Sequence, residues 1–225
     1  ALYSTSAEFW IPWTTEVEVI FPSKPKPGEP GYFSTSFVSS SLFGNHEATN
    51  SSGDFTWAPN DNNNFQVYAV REELESKNAY FVLTSSLGGI PTLTSPLFYD
   101  VYDNEKWNLA VRFYVDKTDT SGSVKGNPVS DIVSGSKDQV TPYIEFYGVN
   151  TLLDQVVHEF HLSGAMTFAS VASDPSNTVN KRFYIGAHRT NYTGSVLQYA
   201  DTKMSSLRYW KSYLSNDTIK ACLLY

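Results

Sequence analysis

The sequence has a single cysteine, Cys222, so no disulfide can form within the chain. That excludes a small disulfide-stapled scaffold and leaves the hydrophobic core to hold the fold. Charge is scarce too. Asp, Glu, Lys and Arg make up 17% of the chain, with 16 basic residues against 23 acidic ones and a net charge of -7. A phosphate-binding surface needs clustered Lys and Arg, so nucleic acid is not an expected partner. The mild acidic excess suits solubility instead. No apolar run reaches the roughly 18 residues of a helical span, so no membrane insertion is expected. Also missing are the Gly-rich phosphate loop, a Cys–His pair and a G-x-S-x-G nucleophile elbow.

What the sequence does have is rings. Aromatics are 15% of its 225 residues, with 15 Tyr, 14 Phe and 5 Trp, and Ser, Thr and Asn are abundant. Rings supply a large core, and polar turns between short segments favour strands over helices. Thr14 to Phe21 (TTEVEVIF) alternates Val17, Val19 and Phe21 with Glu16 and Glu18, the period of a half-buried strand. Pro22 to Gly31 follows with four prolines, which lack the amide donor a ladder needs, and so predicts a long loop. Asn108 to Asp116 (NLAVRFYVD) alternates again. Further strands are predicted at Tyr32–Phe43, Phe65–Arg71, Ala79–Ser85, Tyr143–Val149, Val156–Leu162, Met166–Ala172, Phe183–Ala187 and Lys203–Trp210. Glu72–Asn78 reads as a hairpin turn, and Ser51–Asn64 and Lys117–Gln139 as polar loops. Only Asn216–Cys222 reads as helical, a short turn capped by Asn216 or Asp217. Many short strands without intervening helices exclude βαβ architectures and predict an antiparallel sandwich.

Three segments carry a family resemblance. Asp100–Val115 (DVYDNEKWNLAVRFYV) gives a turn, a tryptophan and a strand, and Ile144–Asn150 (IEFYGVN) a short strand ending on a glycine turn. Phe183–Ala187 (FYIGA) is followed by Thr193-Gly194 and then by Met204–Ile219 (MSSLRYWKSYLSNDTI). With Glu8–Pro22 as an opening pair of strands, this order resembles the laminin G-like and pentraxin-like domains of the concanavalin A-like lectin/glucanase superfamily. The resemblance implies one all-β domain over 1–225, a two-sheet antiparallel jelly-roll sandwich with at most short helical turns. Trp107 and Trp210 are expected to close its ends. The chain opens on Ala1 and closes on the apolar run Ala221–Tyr225, so a piece of a longer chain is expected.

The candidate chemistry is thin. Glycoside hydrolysis needs two carboxyl groups about 5–10 Å apart. Glu16 and Glu18 share a strand face without evident support, Glu145 stands alone in IEFYG, and Glu72, Glu73 and Glu75 crowd a turn. All read as solvated carboxylates. His158 and His161 are spaced i, i+3 on a strand, which points the two rings to opposite faces and argues against zinc. His46 and His188 are isolated. The resemblance allows calcium, held by oxygen ligands among Asp54, Asp61, Asn62, Asn64, Asp100, Asp103, Asp119 and Asp201. For ligand binding, Trp57 in GDFTWAPNDNNN is the candidate ring, with Asp54, Asn62 and Asn64 as hydrogen-bonding neighbours. Asn50, Asn191 and Asn216 head N-x-Ser/Thr acceptors, no more than this composition gives by chance. The expected function is non-catalytic recognition of a glycan or protein surface, outside the cell or on a virion or cell surface. The alternatives are a structural module among the subunits of a larger assembly, or a glycan hydrolase or lyase, which would need two converging carboxylates.

Overall fold

The computed structural model describes residues 12–30, 32, 37–50, 55–57, 63–85, 90–117, 140–166, 181–189 and 195–221. Its strands in chain order are β1 (Trp13–Phe21), β2 (Ser39–Asn50), β3 (Phe55–Trp57), β4 (Asn63–Arg71), β5 (Ala79–Thr84), β6 (Leu93–Thr94) and β7 (Glu105–Lys117). There follow β8 (Val140–Leu152), β9 (Gln155–Ala165), β10 (Lys181–Ile185), β11 (His188–Arg189), β12 (Val196–Gln198) and β13 (Lys203–Trp210), and then the helix α1 (Asn216–Ala221). One sheet runs β13-β1-β7-β8-β9 and the other β10-β2-β4-β5-β6, with β3 also paired to β2. Every pairing is antiparallel, and β11 and β12 form a small hairpin of their own. The architecture is a two-sheet antiparallel β-sandwich.

Alternation builds the layer between the sheets. Val17, Val19 and Phe21 of β1 and Trp107, Leu109, Val111 and Phe113 of β7 meet Phe65, Val67 and Ala69 of β4 and Ala79, Phe81 and Leu83 of β5. Trp107 is fully buried, with ring centroids 4.8 Å from both Phe81 and Phe98. Trp13 stacks on Phe65 at 5.6 Å, and Phe21 meets Phe81 at 5.7 Å. Each such ring is worth about 1.5–3 kcal/mol by burial. Each well-set pair adds about 0.5–1.5 kcal/mol.

Several expectations change in detail. Trp210 does not close the core. It lies on the outer face of the edge strand β13, 37% exposed, with Nε1 donating to Glu16 at 3.0 Å. Its neighbour Tyr209 has the inward parity and stacks on Trp13. The helix is capped by Ser215 rather than by Asn216 or Asp217, since the Thr218 amide donates to Ser215 Oγ at 3.1 Å. Strand β3 and the start of β4 fall inside the stretch read as a polar loop. Residues 118–139 and 167–180, with most of the predicted loop and most of the last-predicted strand of that region, lie outside the described residues.

Gly148 shows how closely the layer is packed. It pairs with Leu109 on one side and Phe160 on the other, and an added Cβ would overlap the Phe160 ring and lie 2.9 Å from Leu109 Cδ2. Gly148→Ala is therefore expected to lower stability by about 1–3 kcal/mol. Urea unfolding measures this, and an unchanged midpoint would mean that Phe160 is not wedged against this backbone.

Candidate functional site

The outer face of the first sheet carries a row of polar side chains: Glu16, Arg112, Glu145, Tyr147, Glu159 and His161. Alternation alone would leave them in water. Instead the segment from Ser212 through α1 lies across them. Thr14 Oγ1 donates to the Ser212 carbonyl at 2.9 Å and accepts from the Leu214 amide at 3.0 Å. Arg112 Nη1 donates to the Leu214 carbonyl at 2.9 Å and to Asn216 Oδ1 at 2.7 Å. Ile219, fully buried, packs with Ala110, Tyr147 and Val149 in a second, smaller core. Beneath this cover Arg112 Nη2 lies 3.0 Å from Glu145 Oε2, which also accepts from the Tyr213 hydroxyl at 2.9 Å. Neither Arg112 nor Glu145 is exposed to solvent. At the margin, Glu159 takes hydrogen bonds from Tyr147 at 3.0 Å and pairs with Lys220 at 2.9 Å.

Glu16 is equally enclosed. It accepts from Trp210 Nε1, lies 3.3 Å from Arg208 Nε, and is reached by Asn108 Nδ2 at 3.3 Å. Glu18 pairs with Lys106 at 3.1 Å and with Arg208 at 3.4 Å. The solvated reading of Glu16 and Glu145 is thus corrected: both are buried and held by cations. A buried carboxylate must be paired or neutralised; the segment from Ser212 onward covers Glu145, and Trp210 and Arg208 of β13 cover Glu16. As a catalytic couple they are poorly placed. Glu16 stands opposite Ala110 and Glu145 opposite Arg112, so they are two strand spacings apart, about 10 Å, and offset along the strands. Arg112 sits between them.

The end of the sandwich where Phe21, Arg71 and Leu152 lie is tied by a second charged knot. Arg71 bonds Asp201, and its guanidinium lies 3.6 Å over the Tyr102 ring. Tyr102 packs edge-on against Phe21 at 5.1 Å. Lys24 Nζ stands 3.8 Å from Asp201 and 3.7 Å from Glu75. Burial, and then the Arg71 charge, hold the Lys24 ammonium below the ordinary lysine range, against the pull of both carboxylates. Burial, and then the Asp201 charge, push the Tyr102 hydroxyl far up, so it stays a neutral donor.

The loops at this end of the sandwich expose apolar side chains. Leu74 projects from the β4–β5 turn, Tyr99 from the β6–β7 connection, and Tyr199 from the approach to β13. Leu152, Leu153, Val156 and Val157 are exposed around the β8–β9 hairpin, Leu153 by 89%. Backbone in the left-handed region gathers here too, at Glu75, Asp100, Asn104, Leu153 and Asp154. Asn104 has a structural use, since its Oδ1 accepts from the Ser23 amide. Leu153 (φ 47°) and Asp154 (φ 61°) form the two-residue turn of the β8–β9 hairpin, which needs left-handed backbone at both, and a leucine there is strained where Asn or Gly would rest.

A third cluster covers the second sheet. His188 of β11 stacks on Tyr184 with centroids 4.4 Å apart and lies 5.3 Å from His46. Its Nδ1 is 3.3 Å from Gln66 Nε2, and Tyr68 donates to Gln66 Oε1. Burial pushes the Tyr68 hydroxyl up to about 12 and that of Tyr184 well above its usual value.

The residues singled out from sequence are dispersed. Trp57 lies in β3 opposite Ala48, and Asn64 near the start of β4, both at the end of the second sheet remote from the apolar rim. Asp54, Asn62, Asp61 and Asp119 lie outside the described residues. Asp201 is engaged by Arg71 and Lys24, and Asp103 by Lys77 at 2.8 Å. Among the described residues no group of three His, Cys, Asp or Glu is placed to hold a metal ion. His158 and His161 do point apart, His158 stacking on Trp107 and His161 Nε2 standing 3.2 Å from Glu145. Arg112, Arg71, Tyr213 and Leu153 were not singled out. The available signal for Arg112 was a cation in the middle of the apolar run LAVRFYV. Comparison with family models, curated proteins and solved structures gives no match for this chain.

Arg112→Ala leaves Glu145 buried with its cation gone, and is expected to cost about 3–5 kcal/mol. Replacing both residues together, Arg112→Met with Glu145→Leu, should cost much less. A double-mutant cycle by urea unfolding checks both, and additive losses would mean that the pair is not coupled.

Proposed function

We propose that this domain is a non-catalytic recognition module that meets a protein or glycan surface through the rim built from the β4–β5 turn, the β6–β7 connection and the β8–β9 hairpin. The observation that carries the reading is the gathering of exposed large apolar side chains at one end of the sandwich, Leu74 and Tyr99 on connections tied by the Arg71–Asp201 knot and Leu152 and Leu153 at the tight β8–β9 hairpin. Apolar surface on rigid, preorganised loops is what an interface core requires. The exposed Leu153 supports it, because the turn needs left-handed backbone there but Asn or Gly would supply it with less strain than a solvent-exposed leucine. The engagement of Glu16 and Glu145 by cations and hydrogen-bond donors supports the non-catalytic part.

The aliphatic half of the rim suits a protein surface, while Tyr99 and Tyr199 would also serve as stacking platforms for sugar rings. The resemblance to laminin G-like domains favours an extracellular or particle-surface setting, with calcium as the cation to test. A glycan array and a panel of extracellular matrix proteins, followed by calorimetry with and without calcium, test the reading. Tyr99→Ala and Leu153→Asn are each expected to weaken binding about tenfold or more. Leu153→Asn should leave stability unchanged or slightly raised, since Asn tolerates this backbone. Binding that survives both substitutions, or no binding to either class, would refute the assignment.

A further inference from the structure

Four strands end the two sheets, and three of them are poor templates for another strand. β6 has only two residues. β10 has five and opens on Lys181 and Arg182. β13 carries a register shift against β1 between Glu16 and Glu18, with Ser206 in the left-handed region (φ 55°). Short edges, charged edges and bulges are the usual ways in which a sheet avoids pairing with another chain.

β9 has one register shift, with Val157 as its extra residue, but its run from His158 to Ala165 is neither short nor interrupted. It has 11 residues, contains no Lys, Arg or Pro, and its register with β8 runs without a shift from His158 to Ala165. Among the described residues no strand pairs with its other side. Its side chains are exposed along nearly the whole strand, and Val156 and Val157 are among the exposed apolar residues.

We propose that β9 is a self-association edge: two copies of this chain pair through β9, antiparallel, to make one continuous sheet across both. The two-fold axis lies at Phe160. In that register Glu159 faces His161 of the second copy, and His161 faces its Glu159, so a carboxylate meets an imidazole on each side of the axis. Both side chains are already fixed on the outer face within their own chain, Glu159 by Tyr147 and Lys220 and His161 by Glu145. On the inner face His158 falls opposite Leu162 of the second copy, again twice. An alternative register displaced by one residue would set His158 or Phe160 of the inner face against outer-face positions. This proposal does not rest on the recognition reading, although Val156 and Val157 border both surfaces.

The test is register-specific. Sedimentation equilibrium of the native chain should show a dimer. H161E, at an exposed position, sets two carboxylates against each other on both sides of the axis and should raise the dimer Kd by about tenfold. E159H/H161E exchanges the two partners, keeps the substituted carboxylate beside Glu145, and should bring the Kd back to the native value. A native chain that stays monomeric at its highest soluble concentration overturns the proposal, and so do equal Kd values for the two variants. Hydrogen exchange on the native chain checks it without mutation. Amides of β9 should gain protection as concentration rises, and exchange independent of concentration there is a result against the dimer.

Discussion

Arg112 and Glu145 face each other beneath the C-terminal segment, and much of the molecule is arranged around that enclosure. A guanidinium and a carboxylate are tolerated away from water only when paired and hydrogen-bonded on their remaining atoms. Tyr213, the Leu214 carbonyl and Asn216 supply those bonds, and all three belong to the segment that causes the burial. The covering segment and the covered pair therefore depend on each other. The central strands β7 and β8 are consequently shielded on both faces, by rings on the inside and by a peptide strap on the outside. A two-layer sandwich acquires a partial third layer, and the small core around Ile219 is its apolar part.

The same principle recurs at the end of the sandwich. Arg71 and Asp201 come from distant parts of the chain and meet over Tyr102. A charged pair closed off from water has few acceptable geometries, so it positions the loops that contribute to it. The apolar side chains on those loops are then displayed at defined places rather than swept through solvent.

Strand periodicity made the sandwich legible in the sequence. Val17, Val19 and Phe21, and Leu109, Val111 and Phe113, fall on the core side as their alternation implies. What periodicity could not reveal was the environment of the other face. Glu16 and Glu18 look alike in TTEVEVIF, yet Glu16 is enclosed and Glu18 partly open, because Trp210 and Arg208 fold over only the first. Trp210 itself was misjudged by one step of parity. The candidate ligand residues depended on loop composition, which says that Trp57 sits among polar residues but not which end of a sheet gathers exposed apolar groups. The Leu153 rim was hidden for a related reason: LLDQ falls between two predicted strands, and its composition does not say that the turn projects both leucines into solvent.

The bond from Thr14 to Ser212 joins the first strand to the last stretch of described chain, 198 residues away. Contacts so distant in sequence are slow to find, because the loop between them must close before they repay its entropy. During synthesis, β1 emerges long before β13 and the strap that will flank it. Until then Glu16 lacks Arg208 and Trp210, and β1 is left as an open edge of its sheet. A nascent chain of this protein is thus an incomplete sheet for most of its time on the ribosome, with its earliest strand waiting for its latest partner.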